Sequence, residues 1–307
     1  MKLIKPSFEI WDQQEGLEGV YKQIERAGRV CYKSEDKITE TSAKEFVERM
    51  IKSGHGAMLE HGTVYLHGSD NFAGGLHLNN YKKSPYSRVN IIHNFMTGTD
   101  HIYITTNYRV LVENDWLDDL KYICEPTEYH AKRITVKFIC DRGVSHEFVR
   151  HRVFSFAQES TRYCNYSKDK FQGVTYIKPP WLDEDISNED GSKFNDVYTD
   201  IYLHTLTTAE NAYLDLLKQW DNKVPDKRFK SGYKNNPWTP QQARAVLPNS
   251  LKTELVMTGF ISDWEHFFKL RDAGNAHPQA RELAHPLHME FLRRNYLVDL
   301  YDEANPD

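Results

Sequence analysis

The chain has 307 residues, enough for one large domain or two small ones at roughly 100 to 200 residues each. Its hydrophobic content of 39%, with 13% aromatic and 27% charged residues, excludes a disordered or fibrous polymer. The formal net charge of -5 argues against a nucleic-acid coat protein, which needs a broadly basic surface, so any anion site must be local.

The first element with clear periodicity covers residues 42 to 52. Ala43, Phe46, Val47, Met50 and Ile51 fall at helical spacing, and Ser42 with Glu45 reads as a capping box. Gly54 stops this helix in GHGAMLEHG, and the β-like run TVYLHG follows. Residues 69 to 100 are rich in Asn, Gly, Ser and Lys with weak periodicity, after which HIYITTN alternates like a strand. The segment from about 67 to 131 is read as an insertion. RITVKFIC at 133 to 140 alternates apolar with polar residues and predicts a strand buried on at least one face, closed by Asp-Arg-Gly.

A long helical pattern runs from Phe194 to Trp220 with a slip near Thr205, so it reads as one helix or two. The lysine-rich stretch at 223 to 234 reads as a solvated loop. Thr239 before Pro240 marks a helix start, as does a capping box of Ser262 and Glu265. No repeat or low-complexity tract appears. The expected fold is a single α+β domain: a central, mostly antiparallel sheet flanked by helices, a mainly helical C-terminal third, and the insertion. Cys31, Cys124, Cys140 and Cys164 are too few and too dispersed for a disulfide framework. No run approaches the eighteen apolar residues of a membrane span, and no signal peptide is evident. A cytoplasmic protein with no membrane or nucleic-acid partner is therefore expected.

Residues 146 to 166, HEFVRHRVFSFAQESTRYCNY, concentrate Arg150, His151, Arg152 and Arg162 with Ser155, Ser160 and Thr161. Arginine forks match phosphate oxygens, hydroxyls complete a cradle, and Phe156 and Tyr163 offer flat surfaces for a ring system. The bland alternative is a solvated cationic turn with serines as caps. Ser160 has no histidine-acid relay beside it, which favours binding over a nucleophilic role.

Arg-His-Arg at 150 to 152, seven intervening residues, then Ser160 and Thr-Arg-Tyr, resembles the signature of the flavin-dependent thymidylate synthases. GHGAMLEH at 54 to 61, QQARAVLP at 242 to 248 and HFFKLRDAGNAHPQARELA at 266 to 284 resemble further segments of that family in the same order. The likeness covers most of residues 25 to 290, apart from roughly 67 to 131.

The resemblance implies an FAD enzyme that methylates dUMP to dTMP. Methylenetetrahydrofolate would be the one-carbon donor and NADPH the reductant, in a homotetramer whose sites are shared between subunits. It implies flavin contacts at His55, Ala57, Glu60, Arg150, His151, Arg152, Gln158, His266 and Asn275. It also implies substrate contacts at Glu147, Arg150, Glu159, Ser160, Thr161, Arg162, Arg244 and Arg271, with Arg162 and Arg244 facing the nucleotide phosphate. Arg271 is the implied catalytic residue, a cation that stabilises negative charge on the pyrimidine as its C5 attacks. A salt-bridged residue on a helix surface is the alternative for Arg271. For His55 and Glu60 the alternative is a helix-end cap and a surface pair.

The sequence departs from the family at Asn275, where a histidine is common and His277 lies two positions on. It departs again at Gln158, where some members have glutamate, and at Phe260 and Ser262, where some carry Asn and Arg. Two other classes remain open: a metal-dependent hydrolase built on His277, His285 and His288, and a non-enzymatic nucleotide- or phosphate-binding protein. No metal is implied by the family likeness.

Overall fold

The computed structural model describes residues 1–69, 77–182, 197–218 and 237–297. Two short strands, β1 (Lys2–Ile4) and β2 (Ser7–Trp11), lead into helix α1 (Gly16–Tyr32). Helix α2 (Ser42–Lys52) ends before Gly54, whose positive φ of 71° turns the chain into the single turn α3 (Gly56–Leu59). Strand β3 (Thr63–Ser69), helix α4 (Leu78–Lys83) and strands β4 (Arg88–Asn94) and β5 (Thr99–Asn107) follow. Helix α5 (Tyr108–Glu113) is capped by Asn107, whose side chain accepts from the Val110 N–H. The chain continues through β6 (Arg133–Asp141), α6 (Arg142–Phe148), β7 (Ser155–Gln158) and β8 (Thr175–Ile177). It closes with α7 (Val197–Leu217), α8 (Pro240–Ala243), β9 (Lys252–Phe260), α9 (Ile261–Arg271) and α10 (Pro278–Arg293).

The architecture is α+β, as the sequence predicts, but the strands of the described residues form three sheets where one central sheet is expected. The main one is antiparallel throughout, in the order β2-β6-β9-β7. The segment read as an insertion supplies β4 and β5, which pair with β3 in a second antiparallel sheet, and β1 and β8 make a small parallel ribbon.

On one face of the main sheet, Ile134, Val136, Phe138 and Cys140 of β6 and Leu255 and Met257 of β9 pack against α9 and α10. Trp264 anchors this core. It is fully buried, donates its indole N–H to the Ile134 carbonyl at 3.2 Å, and sits among Phe138, Phe154, Phe267 and Phe291. Truncating a side chain of this size costs about 3–5 kcal/mol. The other face carries Trp11, Ala157 and Val256 beneath Ala27 and Val30 of α1. A further stretch of α1, Val20 and Ile24, packs into the second sheet's core with Phe46, Leu66 and Ile104. One helix is thus shared by two cores.

Strand β9 is missing from the sequence reading, which expects the C-terminal third to be mainly helical. KTELVMTGF is buried on both faces between β6 and β7, so it shows no alternation to read. The two capping boxes also shift. Ser42 is the first helical residue of α2, its hydroxyl accepting the Thr39 N–H and donating to Glu25. At α9 the helix starts two residues earlier than expected, and Asp263 accepts the Phe260 N–H. The start at Thr239 and Pro240 is where it is expected, with Gln242 closing the box, although the helix is one turn long. Helix α7 is continuous through Thr205, whose hydroxyl donates back to the Ile201 carbonyl at 2.8 Å and so satisfies itself within the helix. Phe194, Trp220 and the lysine-rich loop at 223 to 234 lie outside the described residues. Among the described residues no helix is long and apolar enough to cross a membrane.

Candidate active site

Helix α6 delivers the arginine-rich turn. Asp141 ends β6 and caps α6, its carboxylate accepting the Val144 N–H at 2.6 Å. The helix stops at Phe148, where the Arg150 N–H reaches the Glu147 carbonyl and the His151 N–H that of Phe148. This turn exposes Arg150 and Arg152 and tucks His151 inside. Neither arginine has a carboxylate partner among the described residues.

Arg271, at the last position of α9, closes over the same turn. Its Nη1 meets Glu147 Oε2 at 2.6 Å, its Nη2 donates to the Glu147 carbonyl at 2.9 Å, and its Nε donates to His151 Nε2 at 3.1 Å. A guanidinium cannot accept a proton, so His151 must carry its hydrogen on Nδ1. Burial, then the neighbouring Arg271 and His266, push His151 down to about 4, so it is neutral at physiological pH. Its ring lies 5.1 Å from Phe267 and 5.9 Å from the exposed His266. Three of the five N–H donors on Arg271 are used, which leaves two for another group.

The rest of the motif lies beyond the four residues of β7. Gln158 ends that strand and donates to the hydroxyls of Ser145 and Thr253. Glu159 turns inward: its side chain accepts the Tyr166 hydroxyl at 3.1 Å and pairs with Lys252 at 2.8 Å. Ser160 is half-buried, its N–H donated to the Cys31 carbonyl. Thr161 is buried and accepts from Arg244 Nη1 at 3.0 Å, while Arg162 is exposed over the Tyr163 ring.

The Gly-His loop forms a third group. His55 Nδ1 meets the Tyr32 hydroxyl at 2.9 Å, and Tyr32 lies 5.5 Å from Tyr163. A cavity of about 620 Å³ opens here, lined by these three rings and by Arg29, Lys33, Arg49 and Lys170. Ala57 is exposed on α3, and Glu60 is ion-paired with Arg109. Asn275 is exposed in the loop between α9 and α10. Phe260 is buried, with Arg88 of β4 4.5 Å and Arg133 5.6 Å from its ring.

The structure therefore gathers Glu147, His151, His266 and Arg271 into one cluster, with Arg150 and Arg152 on the same turn. Arg244 joins the Ser160–Arg162 turn at the opposite end of β7. The three histidines weighed as metal ligands divide: His285 and His288 both bond Asp272, while His277 precedes α10 with its ring 6.1 Å from Trp181. Among the described residues no three His, Cys, Asp or Glu side chains are placed to hold an ion together.

Sequence reasoning missed the ionic network behind this turn. Glu254 pairs with Lys33 at 2.8 Å, Lys137 at 2.7 Å and Lys252 at 2.5 Å, and Lys252 continues to Glu159. Burial pushes Glu254 up, but the three lysines outweigh it and hold the carboxyl well below its usual range. Lys252 and Glu254 alternate on one face of β9, a signal visible only once that segment is known to be a strand.

Two exposed arginines with no carboxylate partner among the described residues, on either side of a neutral histidine, have the chemistry to hold an anion. The family profile described as thymidylate synthase complementing protein matches residues 126–294, more than half of the chain, and the chain belongs to that family. It is 30% identical over 143 residues to the flavin-dependent thymidylate synthase of Corynebacterium diphtheriae, covering 47% of this chain and 50% of that protein. It is 31% identical over 153 residues to the enzyme of that name from Mycobacterium avium, covering 50% and 53%. The chain thus spans about half the length of the curated relatives it matches. A UMP/dUMP methylase, PolB from Streptomyces cacaoi, crystallised with 5-Br dUMP, aligns over 95% of this chain and 93% of its own at 16% identity, with a TM-score of 0.41.

Proposed function

We propose that this chain converts dUMP to dTMP in nucleotide biosynthesis, as an FAD-dependent thymidylate synthase with methylenetetrahydrofolate as one-carbon donor and NADPH as reductant. Family membership supports the flavin, and the observation that carries the reading is Arg271, held by Glu147 and His151 beside two arginines that have no carboxylate partner among the described residues. The donor set fits a flavin pyrophosphate, since Arg150 and Arg152 offer exposed forks that no carboxylate of the described residues occupies. FAD would supply the hydride that completes the methyl group; the protein's share is placement and electrostatics.

Each residue then has a task. Arg271 uses its remaining donors to stabilise negative charge on the pyrimidine as C5 becomes nucleophilic. Glu147 fixes the orientation of that guanidinium, and the neutral His151 accepts from it without adding a competing charge. Arg162 and Arg244 neutralise the phosphate dianion, with Ser160 and Thr161 supplying hydroxyls. The two halves lie at opposite ends of β7 in one chain, which supports a site completed between subunits of a homotetramer. A cytoplasmic location follows from the reading.

The test is the visible spectrum of the purified protein with added FAD, followed by NADPH and dUMP without oxygen. The reading expects bound flavin whose bands bleach, and dTMP once methylenetetrahydrofolate is supplied. If no flavin binds at high FAD, the proposal fails and a non-enzymatic nucleotide-binding protein takes its place.

A further inference from the structure

Away from this site, a cavity of about 210 Å³ lies between the end of β2, the start of α1, β3 and the start of β6. Its walls include Trp11, Val20, Tyr65, Ile123 and Tyr296, and Arg133 reaches into its lining. We propose that this cavity binds a small organic monoanion with a body about the size of one aromatic ring, and that Arg133 holds the anionic group.

Arg133 is a half-buried cation whose hydrogen bonds all go to neutral groups among the described residues. Its Nη1 donates to the Glu60 carbonyl at 3.1 Å and to Thr63 Oγ1 at 3.2 Å, and its Nη2 to Ser155 Oγ at 3.2 Å. All three acceptors are neutral, and among the described residues no carboxylate lies within ion-pair distance of it. An isolated charge in such a place is costly and is normally met by a partner. Burial pushes the guanidinium down to about 10, against the weaker pull of Tyr65, Glu60 and Asp263. Three of its five N–H donors are used, which leaves two for a ligand. Trp11 adds a second observation: it is 5% exposed, and its indole N–H is buried without any acceptor. The two unspent N–H donors of Arg133 and the unmet indole N–H of Trp11 belong to residues that line one cavity, and together they call for an acceptor carrying negative charge.

The size and the rim narrow the class. A cavity of roughly 150 Å³ is enough to take benzene, so this one has room for a ring and a carboxylate. Asp12 and Glu15 also line the cavity beside Lys132. Asp12 is satisfied by Arg294 at 3.5 Å, and Glu125 beside the exposed Glu15 raises the Glu15 carboxyl above its usual value. These carboxylates disfavour a polyanion such as phosphate and leave a monoanion as the better guest. Because the same guanidinium holds the Glu60 carbonyl, occupancy is linked to the loop that carries His55 and Glu60.

Calorimetric titration of the full chain with benzoate, and with benzyl alcohol as the neutral probe, tests this. Benzoate is expected to bind with a Kd in the millimolar range or tighter, and benzyl alcohol at least about tenfold more weakly. Arg133→Gln should weaken benzoate by about tenfold or more. Since that change also releases the Glu60 carbonyl, Cys124→Phe is the second variant; it fills the cavity and leaves the arginine in place, and should abolish binding. Unsaturable heats with benzoate in the wild type, equal binding of the neutral probe, or undiminished binding in Cys124→Phe would each overturn the proposal. None of these readouts depends on flavin or on turnover.

Discussion

Replacing Lys252 by Met tests how the sheet holds the turn that carries Ser160. The Lys252 side chain is 15% exposed and bridges Glu159, 1% exposed, and Glu254, 6% exposed. Glu254 keeps Lys33 and Lys137 after the change, but Glu159 keeps only the Tyr166 hydroxyl. Leaving one buried charge unpaired costs about 3–5 kcal/mol, which in a chain of this size lowers Tm by roughly 5–8 °C. Lys33→Met is the internal control. Its loss leaves Glu254 with two cations and frees only the more exposed Glu35, so it should cost about 1 kcal/mol. Thermal melts of both variants at neutral pH decide the matter; equal losses would refute the claim that Glu159 depends on Lys252 alone. The pH dependence has a defined sign. Because the folded carboxyl of Glu254 is depressed, its contribution is present above the ordinary carboxylate range and is lost as pH falls below it.

Arg271→Ala should abolish dTMP formation while FAD binding, read from the visible spectrum, largely survives; normal turnover would remove its assigned role. Histidine NMR titration should find His151 near 4 in the wild type and higher, toward the ordinary value, once Arg271 is gone. The folded value is depressed, so the stability His151 contributes is present above about 6.5 and lost as pH falls through about 4. At Gly28 an added methyl would meet the Phe46 ring at 2.5 Å, so Gly28→Ala should lose about 1–3 kcal/mol in urea unfolding, and an unchanged midpoint would show that α1 and α2 can part freely.

What the sequence revealed followed from how one-sided each element is. β6 alternates because only one of its faces meets the aromatic core, and α2 shows its period because it lies on the surface with one apolar face. β9 is buried on both faces and its few polar residues are spent on internal ion pairs and hydrogen bonds, and β7 is only four residues long, so neither left a signal of its own. The arginine turn was legible as chemistry, since two arginines flanking a histidine, followed by serine and threonine hydroxyls, suit an anion. The dependence of His151 on Arg271, 120 residues away, was not legible, because it arises only when α9 closes over α6. Arg133 read as the first residue of a strand, and its uncompensated charge became visible only in three dimensions.

The separation of the two arginine groups leads to the most discriminating test of the proposed function. Arg271 stands with His151 before β7 begins, and Arg244 with Thr161 after it ends, so a strand of about 13 Å at 3.3 Å per residue lies between them. If one nucleotide engages both, and each site draws its two halves from neighbouring subunits, then Arg271→Ala and Arg244→Ala damage different halves. Both variants should be nearly inactive alone. Mixed in equal amounts after dissociation and reassembly, they should regain roughly a quarter of wild-type activity, since one site in four receives both intact halves by chance. Sites built within one subunit regain nothing on mixing, because every site then carries a lesion. Activity that stays at the level of the separate variants, in mixtures shown by mass spectrometry to contain both chains, would therefore remove the shared site and require the two halves to meet within one chain.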